Sequence, residues 1–245
     1  MRCHAVDYEI IGHGAQVLEV ELDPAETVVG EAGAMCYMEP DIHLETRLGD
    51  GSEAEEGLFG KIFSAGKRLM SGESLFMTHF TNQGSSPQKM GFSAPFPGTI
   101  VPINLAKFGE KVICQREAFL AAALGTKLDV EFTKRLGAGF FGEEGFVLQR
   151  VEGDGMVFLH AGGALVEKTL HNETLRVDSG SLVGFTNGID YNVEWAGSVK
   201  SALFSGEGVF LTTLSGTGTV WIQSLPFPRL IDRIHEGLPK PKQST

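Results

Sequence analysis

Residues 137–142 have the glycine spacing with which other proteins bind dinucleotide phosphates. Their letters are Gly-Ala-Gly-Phe-Phe-Gly, which match G-x-G-x-x-G. In a dinucleotide site this motif opens a helix, and the N-terminus of that helix faces the pyrophosphate. Here Glu143 and Glu144 follow, then a strand pattern, and two carboxylates would repel phosphate. The sequence therefore predicts a connector at this place and no nucleotide cofactor.

The histidines, cysteines and serines lack the spacings of metal sites and activated nucleophiles. The seven histidines are dispersed without an HExxH pair, and Cys3, Cys36 and Cys114 form no CxxC motif. Segment 178–181 lacks the leading glycine of the GxSxG elbow. We predict no catalytic residue, no metal site and no cofactor, with the reduced thiols of a cytoplasmic protein.

Glutamates recur at matching places along the chain and could in principle converge on a cation. One set is Glu45, Glu131 and Glu194, and the other is Glu73, Glu144 and Glu207. However, Val130 and Val193 occupy the buried face of their predicted strands, so the adjacent Glu131 and Glu194 should face solvent. We favour solvent-exposed carboxylates over a metal site.

These sets recur because the chain repeats itself. Residues 110–160 align with 173–223 at a constant offset and without a gap, and a looser copy precedes them. Matching residues of the two closer copies include Glu110 and Glu173, Phe141 and Phe204, Leu148 and Leu211, and Gly153 and Gly216. The first copy matches with Glu26-Thr27-Val28 on residues 110–112, and with Ala34-Met35 on residues 118–119. Repeats of this kind predict three fused units that share one architecture.

Each unit has the patterns of β-strands, so the predicted fold class is all-β. Residues 17–22 alternate apolar and polar, which is typical of a half-buried strand. Asn187-Gly188 favours a two-residue hairpin turn, and we expect further hairpins at 153–155 and 216–218. We place β lobes at 1–97, 98–161 and 162–225. A helix-like segment and a flexible tail follow at 226–245.

One amphipathic helix is predicted as an insertion in the first unit, at residues 57–70. Its apolar side carries Leu58, Phe59, Ile62, Phe63, Leu69 and Met70, and its polar side includes Lys61, Lys67 and Arg68. The apolar stripe either packs on its own lobe or a neighbouring subunit, or docks on a membrane surface or partner. The candidate binding residues are Leu58, Phe59, Ile62, Phe63, Lys67, Arg68, Leu69 and Met70.

The bulk composition narrows the classes of partner. Hydrophobic residues make up 42% of the chain, enough for a sizeable core, and the formal net charge is -11. Binding to a phosphate backbone needs a basic surface, so we predict no nucleic-acid partner. The N-terminus lacks the apolar core of a signal peptide, and no apolar run has the length of a membrane span.

Three stretches resemble a known family, the one named after the protein "altered inheritance of mitochondria twenty-four". They are residues 31–38, 67–76 with the run Ser-Gly-Glu-Ser-Leu-Phe, and 82–98. The resemblance covers nearly the whole chain and implies three β lobes similar to the tryptophan RNA-binding attenuation protein fold, assembled as trimers. Bacterial members are uncharacterised, and eukaryotic relatives are associated with the mitochondrial inner membrane. No catalytic residue is carried over, and the chain lacks the Arg-rich leader of a mitochondrial protein.

Together these observations predict a non-catalytic scaffold or binding protein that self-associates. We expect it to be cytoplasmic, with attachment to the periphery of a membrane or membrane complex through residues 57–70. The alternative is a small-molecule binder or an enzyme with a site between lobes, formed by 82–98 and 137–145. RNA binding by fold analogy is a third hypothesis, which the acidity disfavours.

The membrane hypothesis predicts that the double variant Leu58→Glu/Phe63→Glu loses binding to liposomes, because two charges would enter the apolar stripe. Co-sedimentation with vesicles that contain anionic lipids measures this. Equal binding by wild type and variant would reject membrane docking through residues 57–70.

Overall fold

A computed structural model describes residues 3–48, 76–131, 147–195 and 210–238 of the chain. These residues form seventeen β-strands, β1 to β17, and one α-helix, α1, so the predicted all-β class is confirmed with one helix added. The first strands are β1 (Asp7–Ile11), β2 (Val17–Leu22), β3 (Thr27–Gly30), β4 (Met35–Met38), β5 (Ile42–Leu48), β6 (Phe76–Asn82), β7 (Gln88–Ser93) and β8 (Gly98–Asn104). The next are β9 (Lys111–Gln115), β10 (Phe119–Ala123), β11 (Lys127–Val130), β12 (Leu148–Glu152) and β13 (Met156–Gly162). The last are β14 (Leu165–Asp178), β15 (Leu182–Thr186), β16 (Ile189–Trp195), β17 (Phe210–Gln223) and α1 (Phe227–Gly237).

The strands form three antiparallel sheets. The first has the order β1-β2-β7-β4, and the second has the order β5-β6-β3-β10-β13-β8. The third has the order β11-β12-β9-β15-β17-β14, and β16 also pairs with β17. Because β17 is long, its N-terminal half pairs with β16 while its C-terminal half pairs with β15.

Three apolar clusters cover the faces of these sheets. One cluster joins Leu18 and Phe92 of the first sheet to Phe80 of the second. Another lies between the opposite face of the second sheet and the third sheet, and it contains Val157 and Trp221. The last contains residues of the third sheet alone and covers its other face. The central strands of the second and third sheets are therefore buried on both faces, which explains why every residue of β10 and β15 is buried.

Local elements recur in the same order along the chain. Short 3₁₀ turns lie at Ala32–Ala34, Arg116–Ala118 and Ser179–Ser181, and each leads directly into a strand. These turns occupy the same position in each of the three aligned copies. The strands that follow them are β4, β10 and β15.

The hairpin predicted at Asn187-Gly188 is wrong. Strand β15 pairs with β9 and β17, whereas β16 pairs with β17, so the two strands that flank the turn are not partners. Gly188 has a positive φ of 97°, as the turn requires. The turn joins two strands that lie end to end along β17, so it continues the sheet rather than reversing within a ladder.

The hairpins predicted at 153–155 and 216–218 are also wrong. The first segment joins β12 of the third sheet to β13 of the second, and the second segment lies inside the continuous strand β17. Gly153 and Gly216 have φ values of 149° and 133° at matching positions. Glycine tolerates this backbone conformation, which at Gly153 lets the chain pass from the third sheet to the second.

Other expectations have mixed outcomes. The alternating strand at Val17–Leu22 is confirmed, since its even-numbered residues are buried and its odd-numbered ones half-buried. Segment 82–98 is not a loop throughout, because it contains β7. A helix does lie within 226–245. The predicted insertion 57–70 and the connector 137–145 fall outside the described residues.

Asn82 is the buried polar residue on which the loop after β6 depends. Its Nδ2 donates to the carbonyl oxygens of Leu22 and Ser86 at 2.8 and 2.9 Å, and its Oδ1 accepts from Gly84 N at 2.8 Å. We predict that Asn82→Ala lowers the free energy of unfolding by about 1–3 kcal/mol, because buried backbone groups lose their partners. Urea denaturation measures this. The control Gln88→Ala removes only exposed bonds, and an equal loss there would contradict the assignment.

Candidate functional site

The candidate binding residues of the insertion all lie outside the described residues. They are Leu58, Phe59, Ile62, Phe63, Lys67, Arg68, Leu69 and Met70. Among the recurring glutamates, Glu45 pairs with Arg47 at 2.7 Å and Glu131 lies 3.4 Å from Arg150. Within the described ranges, no group of three or more histidines, cysteines and acids could hold a metal ion.

Two strand pairings join successive units of the chain. In the first, β10 pairs with β3, with Ala121 opposite Gly30 and Ala122 opposite Val29. In the second, β15 pairs with β9, with Gly184 opposite Cys114 and Phe185 opposite Ile113. All eight residues are buried. We call these two pairings the first and second junctions.

The strands that correspond to these at the two ends of the chain have no such partner. Strand β4 occupies the place of β10 and β15 in the repeat, and the residues 174–178 of β14 occupy the place of β3 and β9. Among the described residues, β4 pairs only with β7 and β14 pairs only with β17. Sequence reasoning missed both edges, although the repeat alignment could have located them.

The β4 edge is fixed in place by a polar contact across its own sheet. The Tyr37 ring lies over Gly91, and its hydroxyl donates to the Glu19 carboxylate, which also accepts from Lys89 Nζ at 2.7 Å. The bonds from Lys89 and Tyr37 lower the pKa of Glu19. Burial and the bond to Glu19 raise the pKa of Tyr37 to about 12, so Tyr37 remains a donor at neutral pH. Met38, next along the strand, is 37% exposed.

The β14 edge lies beside the helix α1. Asp178, the last residue of β14, accepts from Ser181 N at 3.1 Å and pairs with Arg229 of α1, also at 3.1 Å. Phe227 of α1 stacks on Phe96, whose ring in turn meets His160 edge to face. No residue of α1 is buried. Its exposed large apolar residues are Ile231 and Ile234, and the exposed Leu238 directly follows the helix.

This arrangement is suited to binding rather than to covalent chemistry. Burial raises the pKa of the Cys114 thiol to about 12, which keeps it protonated and inert. In contrast, an unpaired strand edge offers a row of backbone donors and acceptors to an added strand. Within the described ranges, no helix has the length and apolar content needed to cross a bilayer.

These features define a class of mostly β proteins with three antiparallel sheets, in which the edges of β4 and β14 are open among the described residues. The chain belongs to the family described as "Mitochondrial biogenesis AIM24", whose model matches residues 8–225. It is 28% identical over 225 residues to the uncharacterized protein M6_Spy0233 of Streptococcus pyogenes serotype M6, covering 91% of this chain and 87% of that protein. The crystal structure of protein SPYM3_0169 from Streptococcus pyogenes is similar, with a TM-score of 0.74, 23% identity, and coverage of 95% of this chain and 100% of that one. At this identity the structural likeness supports the fold alone.

The ring of His160 meets Phe96, which in turn stacks on Phe227 of α1. His160 should make the stability of the protein depend on pH. It is 3% exposed, and burial lowers its pKa from 6.5 to about 4. The unfolded chain therefore takes up a proton first as the pH falls, and the stability present above pH 6.5 is progressively lost down to pH 4. We predict a loss of up to about 3 kcal/mol from this group.

Urea denaturation between pH 7 and pH 4 measures the effect. The His160→Leu variant should show a shallower decline than wild type, whatever its stability at pH 7. His171 is exposed on β14, and His171→Leu serves as the control. Parallel profiles for wild type and His160→Leu would show that His160 does not carry the pH dependence.

Proposed function

We propose that the protein is a non-catalytic scaffold or binding protein that self-associates through the open edges of strands β4 and β14. The observation that carries this proposal is that, among the described residues, β4 and β14 lack the partner that their counterparts have. Unpaired edges of this kind are sites of strand addition unless they are covered. The proposed architecture is three tandem β lobes at 1–97, 98–161 and 162–225, related to the tryptophan RNA-binding attenuation protein fold.

Exposed apolar side chains at the edges support the proposal. Met38 lies on the β4 edge, and Ile231 and Ile234 lie on α1 beside the β14 edge, with Ile234 57% exposed. Met38 corresponds to Ala122 of the closed first junction, which is fully buried. Exposed apolar side chains beside an unpaired strand favour an interaction site over a solvated face. The net charge of -11 favours a protein partner over a nucleic acid.

We also propose that the assembled protein attaches to a membrane, as the sequence pattern of residues 57–70 predicts. Residues 57–70 would attach the assembled scaffold to the periphery of a membrane or membrane complex. Self-association strengthens such attachment, because several weak contacts on one assembly bind together.

Self-association predicts a mass in solution that is a multiple of the 26.4 kDa chain. In the double variant Met38→Asp/Ile234→Asp, the dissociation constant should rise about tenfold or more, because both charges would be placed at the contact. A tenfold rise corresponds to a loss of roughly 1.4 kcal/mol in the association free energy. Sedimentation equilibrium measures both quantities. The control Leu44→Asp changes an apolar residue that is 50% exposed on β5 and should associate like wild type. A wild-type protein that stays monomeric at every accessible concentration would contradict the proposal.

A further inference from the structure

The first and second junctions share one register. Under the alignment that places 110–160 on 173–223, Ala121 falls on Gly184 and Ala122 falls on Phe185. On the opposite strand, the first-copy alignment places Gly30 on Cys114 and Val29 on Ile113. The pairs observed are Ala121 with Gly30, Ala122 with Val29, Gly184 with Cys114, and Phe185 with Ile113. The junction is therefore a repeated structural contact whose geometry is the same at both places.

The hydrogen bonds at the junctions show which backbone groups point across them. Leu124 N donates to Thr27 O at 3.2 Å, and Asn187 N donates to Lys111 O at 3.3 Å. Alternate residues of a strand direct their N–H and C=O groups to the same side. On β14 the corresponding outward groups are those of residues 174, 176 and 178, and on β4 they are those of residues 36 and 38.

Resting on the proposed self-association, we infer that β4 of a second copy of this chain pairs antiparallel with β14, with Met38 opposite Arg176 and Tyr37 opposite Val177. This is the register that the repeat alignment transfers from the two observed junctions. The two edges differ from each other, so the contact is head to tail, and copies add until a ring closes or a filament forms.

The side chains on both edges are compatible with this pairing. Tyr37 takes the place of the small Ala121 and Gly184, but its ring lies over Gly91 and its hydroxyl contacts Glu19, both residues of its own sheet. Leu175 and Val177 of β14 face the apolar cluster of their own unit, as Val112 and Cys114 do. The inward side of the β14 edge therefore resembles the interior junctions.

Two residues make the intermolecular junction weaker than its counterparts. Pro40 lies where Leu124 and Asn187 donate a backbone hydrogen bond, and proline has no N–H, so the ladder ends at Met38. Arg176 replaces the buried Val29 and Ile113, and its long side chain must reach solvent past Met38. We expect reversible association that depends on protein concentration.

Disulfide cross-linking between two differently tagged chains tests the register. Both chains carry Cys36→Ser; one has Met38→Cys and the other has Arg176→Cys. Residues directly opposite in a ladder have Cα atoms about 5.5 Å apart, within the range that a disulfide spans. Mild oxidation should join the two tags in one covalent dimer on a non-reducing gel.

The matched control replaces Arg176→Cys with Thr174→Cys, which is exposed on the same face of β14. A diagonal neighbour is about 7–8 Å away, so this pair should link roughly tenfold more slowly. Equal rates for the two pairs would indicate random collision and overturn the inference. Links between two Met38→Cys chains would show β4 pairing with β4 and would also overturn it.

A single chain that carries both Met38→Cys and Arg176→Cys tests whether β4 and β14 pair within one chain. If it forms only an internal disulfide in the monomer, the chain closes on itself and the inference is wrong. No cross-link between separate chains, while wild type still sediments as an oligomer, would overturn this register and leave the proposed self-association standing. A monomer by sedimentation would instead reject the proposed function itself.

Discussion

Backbone pairing between strands of successive units is the contact on which the rest of the structure depends. The central strands of the second and third sheets are covered on both faces, so their backbone groups cannot hydrogen-bond to water. Each central strand must therefore find a partner on both sides. The junctions β3–β10 and β9–β15 supply that partner from a different aligned copy of the repeat. The edges of β4 and β14 lack such a partner among the described residues.

The close approach at the junctions explains the residues found there. Gly184 has no room for a side chain, since an added Cβ would lie 2.7 Å from Ile113 O. Alanines occupy the corresponding positions 121–123 of β10, where they pack between two apolar clusters. At the open β4 edge the corresponding residues are larger and partly exposed, as Tyr37 and Met38 show. The second junction also contains the large Phe185, but its side chain is buried, so exposure rather than size separates the open β4 edge from the closed junctions.

The sequence predicted the class of fold better than its connections. The alternating pattern of β2 was correctly predicted because one side of the first sheet faces solvent. The hairpins were predicted wrongly, because a turn signal such as Asn187-Gly188 shows that the chain changes direction but not which strand it then pairs with. That choice depends on contacts between distant strands. The open edges of β4 and β14 were missed for the same reason, since whether an edge is open depends on whether a distant strand pairs with it.

Amide hydrogen exchange at several protein concentrations tests directly whether a second copy of the chain covers the edges of β4 and β14. The outward amides of Met38 and Arg176 should exchange quickly in dilute protein. As the concentration rises, they should slow toward the rates of Ala122 and Val29, which occupy the same places in the closed first junction. If Met38 and Arg176 exchange quickly at every concentration, no strand covers these edges. If they are protected even at high dilution, the edges are covered within one chain. Either result would contradict pairing of β4 with β14 between copies of the chain.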